Sequence, residues 1–294
     1  MKSLVKKVRE KMLKKIDQAQ LFIEKNANFF RCPLCHQGMQ SKEYSLICES
    51  GHRFDLSKKG TLFFLKQGHV TEYSKEMFQP RGRMIQAGMY QPVLDVVASW
   101  LTSEMSILDV GCGEGSFLSL LKDKVSFQTG VGFDISKEGI YLASNQPGEN
   151  FYCVADLTNL PFADQSFTCL LNIFTPSHYQ EFQRVLQKDG FLLKIVPQSC
   201  YLKELRAAFY PDQKDKQSYS NQAVVQKLSE KMAIVQQKRV TYSFDVPEEN
   251  RLDLLSMSPL EWQVSPERKQ FLSENPLRKI TIDVDVIKAV KKMA

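Results

Sequence analysis

The sequence predicts an α/β protein: a parallel sheet built from strand–helix–strand units, with a small Cys- and His-rich module ahead of it. Three observations carry this. From Pro92 onward, short apolar runs alternate with stretches of helical period. The first of these runs ends in a turn with three alternating glycines. Upstream, residues 29–66 hold two closely spaced Cys/His pairs.

Taken in order, residues 1–26 place Val5, Val8, Met12, Ile16, Ala19 and Ile23 three or four apart, one apolar stripe on a helix. Residues 29–66 end in the run Leu62, Phe63, Phe64, Leu65. Residues 71–92 are polar and read as a connector with a short helix over 75–87. Strands are then expected at 107–110, 130–135, 151–155, 168–174 and 191–196, with helices at 116–122, 137–145 and 178–186 between them. Residues 211–222 read as a polar loop. Two late strands, 239–246 and 280–286, flank a helical stretch. The division is therefore a basic leader (1–28), a Cys- and His-rich module (29–68), a connector (69–92) and an α/β domain (93–294).

Charge and cysteine content exclude several classes. The net charge is +6, from 39 Lys+Arg and 33 Asp+Glu. Met1 to Lys15 alone carries seven basic residues and one acid, so the leader holds the whole excess and the rest sums to zero. As a basic amphipathic helix it has two readings: contact with RNA, an acidic surface or a membrane face, or a solvated helix packing its stripe on the body. Either way it lies outside both the zinc site and the α/β core. No apolar run approaches the roughly 18 residues of a membrane span. Seven cysteines, an odd number spread along the chain, rule out a full disulfide framework and fit a reducing, cytoplasmic setting.

Cys32, Cys35, Cys48 and His52 follow C-x2-C-x12-C-x3-H. Zinc takes four such ligands in a tetrahedron, and two close pairs supply them from two turns. Gly38 and Gly51 sit in those turns, where tight backbone paths are expected. His36 competes as a ligand but adjoins Cys35. With four protein ligands the site is closed, hence structural. A strand over 44–47 fits the hairpin between the pairs.

Asp109, Gly111, Gly113, Glu114 and Gly115 form the glycine-rich turn between a strand and a helix. Its glycines let the backbone bend sharply and approach a ligand. Asp134 ends the next strand, one strand–helix–strand unit later, where an acid accepts ribose hydroxyls. Asp156 ends the strand after that, on the adenine side. With no dinucleotide spacing and no P-loop lysine, an adenosine ligand without a pyrophosphate fits. On these residues, with Asn159 to Phe162 and Arg184 to Leu186 before Asp189 and Gly190, the chain resembles the class I S-adenosylmethionine-dependent methyltransferases. The segment 172–178, Asn-Ile-Phe-Thr-Pro-Ser-His, carries neither the motif of amino-methylating enzymes nor the cysteine of cytosine carbon-5 enzymes.

Over its whole length from Phe30 the chain resembles the RlmA/TlrB-type 23S rRNA guanine-N1 methyltransferases. The carrying residues are Cys32 to Cys35, Cys48, Gly51 to Gly60, Arg83, Gly88, Tyr90 to Pro92, Asp109 to Gly115, Leu202 to Leu205 and Met257 to Trp262. The resemblance implies S-adenosyl-L-methionine and one structural Zn2+, a specific guanine in a hairpin loop of 23S rRNA as acceptor, and a homodimer forming an RNA cleft. It places Tyr90, Gly113 and Glu114 against the donor, and adds Tyr201 at a position that is often His. The family includes branches that modify either of two nearby guanines in one hairpin, which the residues do not separate; by style and resemblance the Lys-rich, Asn-containing sequence favours the TlrB-like branch, whose members can contribute to macrolide resistance.

The zinc module carries Arg31, Lys42, Arg53, Lys58, Lys59 and Lys66 against Glu43, Glu49 and Asp55. That excess of basic residues is expected to grip the RNA backbone. The general base stays open among His178, Asp156 and Glu114. Two rivals remain: a quinone-type small-molecule methyltransferase, and a zinc-bearing RNA-binding protein without catalysis. The first leaves the zinc module unexplained; an intact glycine turn argues against the second.

Overall fold

The computed structural model describes residues 13–66 and 73–292. The first half of the leader stripe, Val5 to Met12, and the expected boundary at 68/69 lie outside them. The elements are α1 (Lys15–Asn26), β1 (Met39–Lys42), β2 (Ser45–Cys48), β3 (Arg53–Asp55), β4 (Leu62–Phe63), α2 (Lys75–Gln86), α3 (Gln91–Ala98), β5 (Ser106–Val110), α4 (Ser116–Val125), β6 (Thr129–Asp134), α5 (Lys137–Ala143) and β7 (Phe151–Val154). There follow β8 (Phe167–Ile173), α6 (Tyr179–Val185), β9 (Leu186–Pro197), α7 (Lys203–Phe209), α8 (Lys214–Gln217), α9 (Gln222–Lys231), β10 (Ala233–Asp245), α10 (Arg251–Ser256), α11 (Pro266–Glu274) and β11 (Lys279–Val290).

One eight-stranded sheet runs β10-β11-β9-β8-β5-β6-β7-β4, and a three-stranded sheet runs β1-β2-β3. Pairs from β4 through β9 are parallel; β11 is antiparallel to both β9 and β10. This is the class I methyltransferase arrangement with one more strand, β4, added at its edge. The order reverses between β5 and β8, so the C-terminal ends of these strands open a crevice there, the place where open α/β sheets bind ligands.

Each face of the sheet is covered. Met84, Met89, Val93, Leu118, Leu121 and Ile140 pack on one face with Leu171 and Leu193. Ile23, Phe30, Phe64, Phe162 and Phe182 pack on the other with Leu170 and Leu192. Nearly continuous apolar strands follow from burial on both faces.

Several expectations need correction. The leader's second half takes the packed one of its two readings, but within the core shared by ribbon and sheet rather than outside both. Ala19 and Ile23 of α1 are buried, Phe22 stacks on Phe151 with ring centroids 4.6 Å apart, and the Tyr44 hydroxyl donates to Asp17 at 3.0 Å. The aromatic run that closes the zinc module becomes β4, whose Leu62 and Phe63 pair with Cys153 and Val154. The 211–222 loop contains the short α8. The late strands extend to 13 and 12 residues, because β10 and β11 pair along almost their full length. Gly38 does not hold a left-handed turn; it pairs with Arg31 in an extended bridge, while His36 (φ 62°) and Gly51 (φ 80°) take the turn conformation.

Ile23 has no exposed surface and sits where the leader, the zinc module and the large sheet share one core. Ile23→Ala is therefore expected to lower unfolding stability by about 2–5 kcal/mol. Chemical denaturation measures it; a change below about 0.5 kcal/mol, the size typical of exposed sites, would mean that α1 is not packed as described.

Candidate metal centre and donor pocket

The four expected metal ligands converge. The ligand atoms of Cys32, Cys35, Cys48 and His52 all lie within 4.8 Å of one another. The Cys35 and Cys48 sulfurs are 3.5 Å apart, and His52 Nδ1 is 3.4 Å from both Cys32 and Cys48 Sγ. Such edges suit a tetrahedron of thiolates and imidazole about zinc. The turns hold that shape: the Leu34 amide donates to Cys32 Sγ, the His36 amide to the Cys32 carbonyl, and the Gly51 amide to the Cys48 carbonyl. His36 lies outside the group. Burial pushes the Cys32 thiol up to about 11, while hydrogen bonding from the Gln37 amide brings Cys35 down to about 6. A bound cation would draw every one of these thiols toward thiolate.

At the crevice, β5 runs into the glycine turn. Gly111, Gly113 and Gly115 all have positive φ (65°, 54° and 79°). Added Cβ atoms at Gly111 and Gly113 would lie 2.8 Å from Thr175 Cγ2 and 2.9 Å from Phe78 Cε1. The turn is therefore both conformationally and sterically glycine-dependent.

Asp109 and Glu114 are almost fully buried, and Asp109 Oδ2 and Glu114 Oε2 have no hydrogen-bond partner among the described residues. Arg81 Nε stands 3.8 Å from Glu114 Oε2. Burial foremost, and then the neighbouring Glu114 and Asp134, push the Asp109 carboxyl up to about 8, with Arg81 opposing. Burial likewise raises Glu114. Two buried carboxylate oxygens without hydrogen bonds beside a glycine turn fit a ligand with positive charge. S-adenosylmethionine carries an ammonium and a sulfonium.

Asp134 is already engaged: Oδ2 accepts from the Gly113 amide at 2.9 Å and Oδ1 from the Ser136 amide at 2.8 Å. Each oxygen keeps a further lone pair for a ribose hydroxyl. Asp156 Oδ1 accepts from the Thr158 amide and hydroxyl, both at 2.8 Å, and so shapes the loop after β7.

Tyr90 and Tyr201 meet, their hydroxyls 2.5 Å apart. Phe174 stacks on Tyr201 and tilts against Tyr90, which also edges onto Phe117. Of the three residues considered for the base, His178 Nδ1 accepts the Glu181 amide as the cap of α6, Asp156 holds its own turn, and only Glu114 keeps a buried oxygen without a hydrogen bond, beside Arg81.

Sequence reasoning missed Phe78, Arg81, Phe174 and Lys194. Phe78 and Arg81 lie on the connector helix, which folds over the glycine turn. Phe174 has φ 57°, rare for an aromatic residue, and its position at a strand end carries no composition signal. Lys194 is buried, and its ammonium donates to Asn172 Oδ1 and to Ser177 Oγ, the latter at 2.8 Å. Burial brings it down to about 8. It braces the turn that carries Thr175, whose hydroxyl donates to the Val110 carbonyl at 2.9 Å. Only a lone Lys in an apolar strand hinted at this.

The sequence matches the N-terminal zinc ribbon of the RlmA family over residues 30–65 and a methyltransferase domain over residues 108–193. It is 39% identical over 278 residues to the Bacillus subtilis (strain 168) protein named "Putative 23S rRNA (guanine-N(1)-)-methyltransferase YxjB", covering 90% of this chain and 98% of that protein. It is 25% identical to the 23S rRNA (guanine(748)-N(1))-methyltransferase of Streptomyces fradiae, over 87% of this chain and 94% of that one. A phthiotriol/phenolphthiotriol dimycocerosates methyltransferase of Mycobacterium ulcerans (strain Agy99) matches at 34%, but over only 30% of this chain and 35% of its own. Among solved structures, the YcgJ protein of Bacillus subtilis superposes with a TM-score of 0.45 at 18% identity, over 69% of this chain and 100% of that one. The zinc-ribbon match and the near full-length relationship join the two halves of the molecule in one assignment: the chain belongs to the RlmA-type 23S rRNA (guanine-N1) methyltransferase family.

Proposed function

We propose that this protein transfers the methyl group of S-adenosylmethionine to N1 of a guanine in 23S rRNA. The observation that carries the reading is the Cys3His ribbon built onto the edge of a donor-binding sheet. A small-molecule methyltransferase shares only the sheet, as the short span of the mycobacterial match illustrates. Seven free thiols support a reducing, cytoplasmic setting, and no helix of the described residues is long and apolar enough to cross a membrane.

In this reading the donor supplies an electrophilic methyl group. The glycine turn brings its backbone against the donor, Asp109 and Glu114 face the cationic end, Asp134 takes the ribose hydroxyls and the loop from Asp156 borders the adenine. Tyr90, Phe117, Phe174 and Tyr201 form an aromatic wall that excludes water from this end of the crevice. Guanine N1 carries a proton when neutral and lies on the Watson–Crick edge. The acceptor must therefore be unpaired or flipped, and held close to the methyl group as the proton leaves.

Cys32, Cys35, Cys48 and His52 would hold one zinc ion that fixes the ribbon. The ribbon's charge is partly spent inside the protein: Arg31 lies 3.8 Å from Asp164 and from Glu181, Arg53 pairs with Asp55 at 2.6 Å, and Lys59 sits over the Tyr141 ring. Lys42, Lys58 and Lys66 are exposed, and support contact with the RNA backbone.

Primer extension on 23S rRNA tests the function. N1-methylguanine blocks reverse transcription, so one stop should vanish in cells lacking the protein. Gly113→Ala should fail to restore it, and an unchanged stop pattern in the deletion strain would refute the assignment. Metal analysis should find one zinc per chain, and well below one in Cys48→Ser.

Donor binding should also release a proton. With its pKa near 8, Asp109 is mostly protonated at pH 7 in the free protein; a cationic donor favours its ionised form. Donor affinity should then fall as pH falls from about 8 to about 6. Calorimetry in two buffers of different ionisation heat measures the released proton, and Asp109→Asn should remove it. An equal heat in both buffers for the wild type would discard this role for Asp109.

A further inference from the structure

The loop from Asp156 to Asp164 is gripped from two directions. From within the sheet domain, the Leu160 amide donates to Glu181 Oε2 at 2.7 Å, and Arg184 donates to the Leu160 and Phe162 carbonyls at 3.1 and 2.7 Å. From the zinc ribbon, the Arg31 amide donates to the Pro161 carbonyl at 3.2 Å. The Ala163 amide donates in return to the Phe29 carbonyl at 2.8 Å, and Phe30 bridges Phe162.

One further bond reaches into the metal turn itself. Asn159 Nδ2 donates to the Pro33 carbonyl at 2.8 Å, across 126 residues of sequence. Pro33 lies between the ligands Cys32 and Cys35, so the direction of its carbonyl is set by how those two cysteines are held. On its other side Asn159 is tied to the loop that follows β7. Its amide donates to the Asp156 carbonyl at 3.1 Å, and the Ala155 amide donates to the Asp134 carbonyl at 3.0 Å. Three hydrogen bonds, linked through the covalent chain of Asn159 and of Ala155 and Asp156, thus connect the metal turn to the acid at the end of β6.

We infer that Asn159 is a positioning residue that makes the Cys32/Cys35 turn an outer buttress of the donor pocket, so that zinc and the methyl donor bind cooperatively. This rests on the reading that places the donor between the glycine turn and the Asp156 loop. With the turn closed on zinc, Pro33 presents a fixed acceptor and the loop is pre-ordered. With the turn open, the donor must order the loop itself and binds more weakly. Coupling of this kind is reciprocal: the factor by which zinc tightens the donor is the factor by which the donor tightens zinc.

The experiment uses full-length protein and S-adenosylhomocysteine as probe. Calorimetry gives its affinity for zinc-loaded wild type, Asn159→Asp and Asp134→Asn; chelator competition gives zinc affinity with and without the probe. Asn159→Asp keeps the side chain's shape and cannot donate to Pro33. It should retain zinc and weaken the probe about fivefold, the worth of one hydrogen bond. In the wild type the probe should strengthen zinc retention, and in Asn159→Asp that strengthening should disappear. Unchanged probe affinity in Asn159→Asp, or zinc retention indifferent to the probe in the wild type, overturns the inference, provided that Asp134→Asn has lost probe affinity. If Asp134→Asn binds the probe as wild type does, it is the placing of the donor that fails.

Discussion

The crevice end of this sheet depends on two carboxyl groups that the fold buries, each with one oxygen that makes no hydrogen bond among the described residues. Asp109 lies next to the end of β5 and Glu114 sits in the glycine turn, and both are removed from water. Burying an ionised carboxylate is costly, and burial accordingly pushes the Asp109 carboxyl up to about 8, with Arg81 only partly offsetting it. The surroundings follow from that constraint. Arg81 pairs with Glu114 at 3.8 Å without closing a hydrogen bond, so Glu114 Oε2 keeps its hydrogen-bonding capacity. Stability forgone at this point is available to a cationic ligand, the usual relation between strained sites and function.

The same economy explains why the connector helix matters. α2 puts Phe78 against Gly113 and Arg81 beside Glu114, so a segment that reads as a polar linker forms one wall of the pocket. Its far side pairs Arg83 with Asp253 of α10 in two hydrogen bonds. The C-terminal helical stretch and the glycine turn are therefore held through a single helix. Movement of α2 would open the pocket and release that C-terminal contact together.

Much of this was legible in the chain. The ligand spacing from Cys32 to His52 is local chemistry, and the structure closes it. Strands β5, β6 and β7 and the turn between β5 and α4 follow from periodicity and glycine placement, signals that span few residues. What was not legible depends on contacts distant in sequence. Nothing near Leu62 and Phe63 announces that they extend a sheet whose nearest strand begins at Phe151. The stripe on α1 showed that Ile23 faces something apolar, but not that this is the shared core of ribbon and sheet. Asn159 read as a landmark of the sheet domain, because its partner, the Pro33 carbonyl, is a backbone atom with no sequence signature.

These distant contacts also bear on what the zinc ribbon is for. A ribbon tethered by a flexible linker could serve RNA alone and leave the donor pocket indifferent to it. Here its last strand continues the parallel sheet, its Phe30 lies in the same core as Phe162 and Phe167, and its metal turn is bonded to the loop after β7. Loss of the ribbon's shape would expose that core and withdraw acceptors and donors from the loop at once. A ribbon held this way shares its strand pairing, its core and a loop contact with the sheet, so its folding is not independent of the loop after β7.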